Sequence, residues 1–260
     1  MSLILFKQNG PIGKIILNNP DELNAMTPEM ADELAALIPQ INQNQDLRIV
    51  IVTGAGRAFS AGGNLQFILD HANETPQTNK KEMIAFYSKF LALRSIEVPT
   101  LAVMNGHAMG AGLCIAMACD MRICSDQAKM GLNFAKIGLS SGMGTLFFLS
   151  RLIGPASSAD LLFTGRTLSA HEAQQMGIVN QVCASETLET KAQEIAEQIV
   201  QNAALALKFM KKGIQKASLL TLEEIFDYES EGQAASFATE DLREGIKAAQ
   251  EKRKPQFKGA

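Results

Sequence analysis

The chain has 260 residues, 47% of them apolar, and a formal net charge of -3. That is enough apolar material for one large core, or a core with a helical appendage, and the balance of charge leaves no basic field to attract nucleic acid. No continuous apolar run is long enough to span a bilayer, and the opening stretch MSLILFKQNG lacks the apolar segment and cleavage pattern of a secretory signal. The cysteines, at 114, 119, 124 and 183, form neither a CxxC pair nor a disulfide framework, so a reduced, cytoplasmic protein is expected. His71, His107 and His171 have no metal-ligand spacing, and no metal site is expected.

In chain order, residues 14–17 read as a short strand and residues 18–21 as a turn. Thr27 then caps a helix with Pro28 at its first position, running to about Gln43. Residues 48–53, RIVIVT, are an apolar β-branched strand, followed by the glycine-rich GAGRAFSAGGNL. Residues 66–81 are polar and without clear period, which predicts a mobile loop. Met83, Phe86, Phe90 and Leu93 recur at helical spacing and predict a core-facing helix over 81–96.

Residues 100–104 are a buried strand, 105–112 a glycine-bearing turn and 113–119 an apolar helix. A strand follows at 121–124, then a loop with a short helix at 129–145. Ser169 and Glu172 are spaced as a capping box for a helix ending at Gly177, and from Leu188 the chain is almost continuously helical. Strands alternating with helices place the chain in the α/β class.

The chemistry is read at the two glycine-bearing turns. Gly110, Ala111 and Gly112 leave the backbone approachable, and the first-turn N–H groups of the helix they open, with its dipole, favour developing negative charge. The turn at 54–65 also follows a strand, so its free N–H groups can converge with the first set, as a two-donor oxyanion hole requires.

GAGRAFSAGGNL and NGHAMGAGLCIAMACD resemble the two signatures of the crotonase superfamily, the enoyl-CoA hydratase/isomerase family. LNNPDELNAMTPEM, TGRTLSAHEAQQMGIVNQV and EGIKAAQEKRKPQFKG agree with it in order and spacing, so the resemblance covers essentially the whole chain. It implies a crotonase-like ββα spiral core over 1–195 and a helical C-terminal trimerisation region over 196–260, assembled as a homotrimer or a dimer of trimers. It also implies an acyl-CoA substrate, with coenzyme A present only as part of that substrate and no separate cofactor.

Carried over by position, the oxyanion-hole donors fall on the N–H groups of Gly63 and Ala111. Substrate contacts fall on Leu23 and Ala25, near the adenine end of coenzyme A, and on Ala61, Gly62, Leu65, Gly110, Phe134 and Ser141. Phe257 and Lys258 match positions that approach the coenzyme A of a neighbouring subunit. Glu22 stands where many relatives carry a base, and Ala249 where they carry Phe.

The two glutamates that move protons in hydratases fall on Cys114 and Phe134, and a later acid used by isomerases falls on Gly142. Efficient two-glutamate hydration is therefore not expected. Decarboxylation of a malonyl-type thioester, isomerisation with another proton carrier, or acyl-CoA binding without turnover all fit the missing acids. Cys114, at a helix start, is a candidate nucleophile for thioester hydrolysis; His107 is read as a core histidine sooner than a catalytic one, and Ser140 and Ser141 are candidates to hold water or contact substrate. His71, Asp70 and Glu74 are expected to reach the pocket only if their loop closes.

Overall fold

In the computed structural model, which describes residues 2–259, the chain repeats a strand in a large sheet, a short strand in a second sheet, and a helix. The large sheet runs in the order β1 (Ile4–Asn9), β2 (Ile12–Leu17), β3 (Ile49–Gly54), β5 (Thr100–Met104), β7 (Met121–Ser125) and β10 (Gln181–Cys183). All its pairings are parallel except the β1–β2 hairpin. The small sheet is β4 (Ala58–Ser60), β6 (His107–Met109), β8 (Lys129–Gly131) and β9 (Thr167–Ser169).

The continuous apolar runs of the large sheet follow from burial on both faces. In β3, Val50 and Val52 face the main core with the helices α1 (Pro28–Gln43) and α3 (Pro76–Leu91). Ile49 and Ile51 face a second core closed by Leu188, Ala192 and Ala196, one stripe of α7 (Leu188–Val200). The helix α1 begins where the sequence places it: Pro28 is its first residue and the Thr27 hydroxyl accepts from Met30 N at 3.3 Å. In α6 (Ala170–Gln175) the Ser169 hydroxyl accepts from Glu172 N at 3.2 Å, but the Glu172 carboxylate pairs with Arg166 rather than closing the box.

Three expectations change. The segment 66–81, read as a mobile loop, is α2 (Leu65–Asp70), a tight turn and the start of α3. Asn64 caps α2 through Phe67 N at 3.0 Å, and Thr75 caps α3 through Thr78 N at 3.2 Å, with Pro76 leading it. The segment lacks apolar period because both helices keep most of their surface in water. Second, β6 and β8 interrupt stretches read as turn and loop; three residues are too few to show a period of two. Third, α5 (Thr145–Thr164) meets the length and mean hydropathy of a membrane span, against the expectation of none. Gly154 breaks it at φ +75°, before Pro155, and each half, on the order of 15 Å long, falls short of a ~30 Å hydrocarbon layer.

The helices α4 (Ala111–Ala118), α8 (Ala204–Ala217), α9 (Leu222–Phe237) and α10 (Glu240–Gln250) complete the chain. α7 packs on the large sheet as far as Val200. Lys211 of α8 is 6% exposed and ties that helix to the core through Asp120 and the Val98 carbonyl, both at 2.9 Å.

Candidate active site

A largely apolar cavity of about 830 Å³ opens between the glycine turn after β4, the start of α4, and a wall made by α2 and α3. Gly62 brings the two glycine turns together. It adopts φ +97°, and a Cβ there would lie 2.6 Å from the Met109 carbonyl oxygen and 3.3 Å from Ala111 N. Only a residue without a side chain permits that approach.

Around this contact several backbone groups already have partners. Gly62 N donates to the Ser60 hydroxyl at 3.1 Å, Met26 N to Gly62 O at 2.7 Å, and Asn64 N to Met26 O at 3.1 Å. Gly63 N, between them, donates to nothing among the described residues. On the other turn, Gly110 N donates to Gly131 O at 2.8 Å and Cys114 N to Gly110 O at 3.3 Å. Ala111 N opens α4 and has no partner among the described residues. One unengaged N–H donor from each glycine turn thus borders the cavity.

Buried Asn24 fixes this arrangement from behind. Its side chain accepts from Asn19 N at 2.9 Å and donates to Ala55 O and Ala58 O at 2.8 Å, while its own carbonyl accepts from the Ser60 hydroxyl at 2.8 Å. The 19–26 loop is thereby locked to β4 and the donor turn.

Over residues 7–260 the sequence matches the enoyl-CoA hydratase/isomerase family. The chain belongs to that family, within the crotonase superfamily. It is 36% identical to the probable enoyl-CoA hydratase echA8 of Mycobacterium bovis, over 98% of this chain and 97% of that one. It is 32% identical to the 1,2-epoxyphenylacetyl-CoA isomerase of Escherichia coli, over 100% of this chain and 99% of that one. The crystal structure of an enoyl-CoA hydratase from Bacillus anthracis superposes with a TM-score of 0.93 at 32% identity, covering 99% of this chain and 100% of that one.

Of the residues carried over from the family, Ala25, Ala61, Gly62, Gly63 and Leu65 line the cavity. Gly110, Ala111, Phe134 and Ser141 line it too. Leu23 does not; it lies at φ +53°, and its carbonyl accepts from Ala61 N at 2.9 Å, which holds the loop beside the cavity. Glu22 reaches the rim, where it accepts from the side-chain amides of Asn19 and Asn64 at 3.2 Å, and is the sole carboxylate lining the cavity among the described residues.

Cys114 is fully buried, with its Sγ 3.0 Å from the Thr145 hydroxyl and 3.3 Å from Gly110 O. Burial pushes its thiol up to about 12, against the weaker pull of the Thr145 hydrogen bond, so the helix start does not make it a thiolate near neutral pH. This corrects the nucleophile expectation. Native protein is expected to leave Cys114 unlabelled by iodoacetamide at pH 7.5, and Cys114→Ala to keep at least half of any thioester turnover; fast labelling with loss of turnover would restore the thiol mechanism.

His107 is exposed and accepts from Lys129 N at 3.1 Å, joining β6 to β8 away from the cavity. His71 lines the cavity without any loop closure, because it caps the C-terminus of α2; Asp70 and Glu74 do not. Its Nδ1 lies 2.7 Å from Phe67 O and its Nε2 2.8 Å from the Glu82 carboxylate. Both ring nitrogens thus lie against protein acceptors, one on α2 and one on α3. Ser140 joins Ser141 in the wall. Met83 and Phe86, read as core, share the cavity wall with Tyr87, which the sequence did not single out.

Phe257 and Lys258 lie outside the cavity, in the tail packed against α10. The Phe257 ring rests against Gly245, and buried Asp241 accepts from Lys258 N at 2.7 Å and Gly259 N at 2.9 Å. Glu244 holds the tail again, accepting from Arg253 and, at 2.8 Å, from Gln256 N. The Arg253 hydrogen bonds, then that of Gln256, draw the Glu244 carboxyl down from its ordinary 4.5 to about 2. A lowered carboxyl stabilises the fold above its unfolded value, and that contribution is lost as pH falls towards 2. Amide exchange at Gln256 is expected to be flat from pH 8 to 5, once corrected for intrinsic rate, and to rise between 4.5 and 2. A flat profile throughout would show that Glu244 does not hold the tail.

Proposed function

We propose that this chain is an acyl-CoA thioester enzyme that stabilises a thioester enolate in an oxyanion hole formed by Gly63 N–H and Ala111 N–H. The observation carrying the reading is that one N–H group from each glycine turn, Gly63 N and Ala111 N, has no partner among the described residues, and that both residues border the apolar cavity. Fixed donors in a water-poor site stabilise charge as it develops and need not reorganise.

The substrate's coenzyme A supplies the thioester and no other cofactor is required. Two-glutamate hydration is not the efficient reaction, since Cys114 and Phe134 stand in the acid positions and no carboxylate other than rim-bound Glu22 lines the cavity among the described residues. Release of carbon dioxide from a malonyl-type thioester needs only the oxyanion hole for its first step and is the reading the wall favours. Isomerisation through another proton carrier is the alternative, and acyl-CoA binding without turnover is the competing one.

Crotonyl-CoA, a 3-enoyl-CoA and methylmalonyl-CoA, each incubated with the purified protein and followed by mass spectrometry, separate these. Turnover of methylmalonyl-CoA at about 1 per second or faster supports decarboxylation. Crotonyl-CoA hydration at that rate would overturn the assignment of the missing acids, and binding with every thioester returned unchanged would leave a binding protein.

We also propose that the C-terminal helices assemble copies of the chain into a trimer or pair of trimers. Met210, Ile214, Leu222, Phe226 and Phe237 are all more than half exposed there, an apolar surface suited to a partner. Sedimentation of a monomer at micromolar concentration would exclude it.

A further inference from the structure

An enolate must be protonated before product can leave, and the cavity offers few groups able to do it. Glu22 is at the rim, both His71 nitrogens lie against protein acceptors, and the Ser and Asn side chains are too weakly acidic. Tyr87, projecting from α3, is half-buried in the wall, and its hydroxyl has no hydrogen-bond partner among the described residues. The only other tyrosine, Tyr228, spends its hydroxyl on Phe209 O at 3.0 Å.

The phenol is placed by an absence of side chain across the cavity. A Cβ on Gly142 would lie 2.5 Å from Tyr87 Oη and 2.9 Å from Cζ, so glycine at 142 is what makes room for it. The Gly142 carbonyl accepts from the Thr145 hydroxyl at 2.5 Å and lies 3.9 Å from the Cys114 sulfur. Cys114 is in the turn of α4 that Ala111 opens, so this cluster puts Tyr87 beside the helix start carrying one proposed oxyanion donor. Burial, and secondarily Cys114, raises the phenol above its ordinary value and keeps it a protonated donor.

We propose that Tyr87 is the proton donor to the α-carbon of the thioester enolate, its hydroxyl filling the space that a side chain at position 142 would occupy. The proposal rests on the enolate reading above. With a malonyl-type thioester, the bond from Cα to the carboxylate breaks, carbon dioxide leaves, and the electron pair becomes the enolate, with its charge on the thioester oxygen. The Oη–H bond then breaks, a Cα–H bond forms, the carbonyl is restored, and the charge passes to the phenolate. Water returns the proton to Tyr87, and the resulting hydroxide combines with the carbon dioxide as bicarbonate.

The test uses the full-length protein in D₂O with methylmalonyl-CoA, and in parallel follows exchange of the α-hydrogens of propionyl-CoA. Wild type is expected to deuterate one face of Cα. Tyr87→Phe is expected to bind propionyl-CoA within about threefold of wild type, to lose on the order of 10²-fold in product formation and exchange, and to deuterate both faces. Gly142→Ala, which displaces the phenol while keeping its hydroxyl, is expected to reproduce the loss and serves if Tyr87→Phe does not fold. Wild-type rates and single-face deuteration in Tyr87→Phe would overturn the role of Tyr87 while leaving the enolate reading standing. A wild-type protein that neither decarboxylates nor exchanges would overturn both.

Discussion

Alanine at position 62 is expected to lower the melting temperature by roughly 5–10 °C and to remove thioester turnover. Holding an L-residue at φ +97° costs about 1–3 kcal/mol, and the new Cβ meets the Met109 carbonyl oxygen at 2.6 Å. The obstruction is backbone, so no rotamer change relieves it, and the two turns must separate. For a chain of this length each kcal/mol is worth about 2–4 °C, which sets the expected range. Separation also draws Gly63 N away from Ala111 N, so activity is lost beyond what instability explains. Gly10→Ala is the control: it sits at φ +55° in the β1–β2 hairpin with nothing within 4 Å of its Cβ, so it carries strain without obstruction. Differential scanning calorimetry with the thioester assay reads both variants. A Gly62→Ala protein with wild-type turnover, or one matching Gly10→Ala in both readouts, would show that the close approach of the turns is not needed.

What the sequence disclosed depended on whether the signal was local. Thr27 with Pro28 is a complete helix start within two residues, and the structure begins α1 there. Runs such as RIVIVT are dictated by a sheet buried on both faces and are legible without a partner in view. The glycine turns disclosed where backbone could be approached, because a missing side chain is visible in a sequence. They did not disclose that Gly63 N and Ala111 N are unengaged while Gly62 N, Asn64 N and Gly110 N are not, since that depends on where Ser60, Met26 and Gly131 place their groups. The helices α2 and α3 were hidden by their wet surfaces, although the Asn64 and Thr75–Pro76 starts were there to be read. With the helix hidden, the sequence places His71 in a mobile loop. Tyr87 was invisible for a different reason: it stands four residues after Met83 on an ordinary apolar face, and only its meeting with distant Gly142 sets it apart.

Proline at position 63 deletes one N–H without adding a charge or emptying a cavity, and is expected to cost about 10²- to 10³-fold in kcat, the usual loss for one oxyanion donor. The deletion is selective because Gly63 N has no structural partner among the described residues to lose, while the neighbouring bonds from Met26 N to Gly62 O and from Asn64 N to Met26 O remain available. The residue before a proline is steered to extended backbone, but Gly62 has no Cβ to clash with the ring. Binding of a saturated acyl-CoA is expected to weaken far less than turnover, since the N–H bonds gain most of their strength when the carbonyl oxygen becomes an enolate oxygen. Equal losses in binding and kcat/KM, with kcat unchanged, would instead mean that Gly63 N holds the ground-state thioester and contributes nothing specific to the transition state. Unchanged kinetics in a folded Gly63→Pro protein would remove this N–H from the mechanism and leave Ala111 N as the only proposed donor.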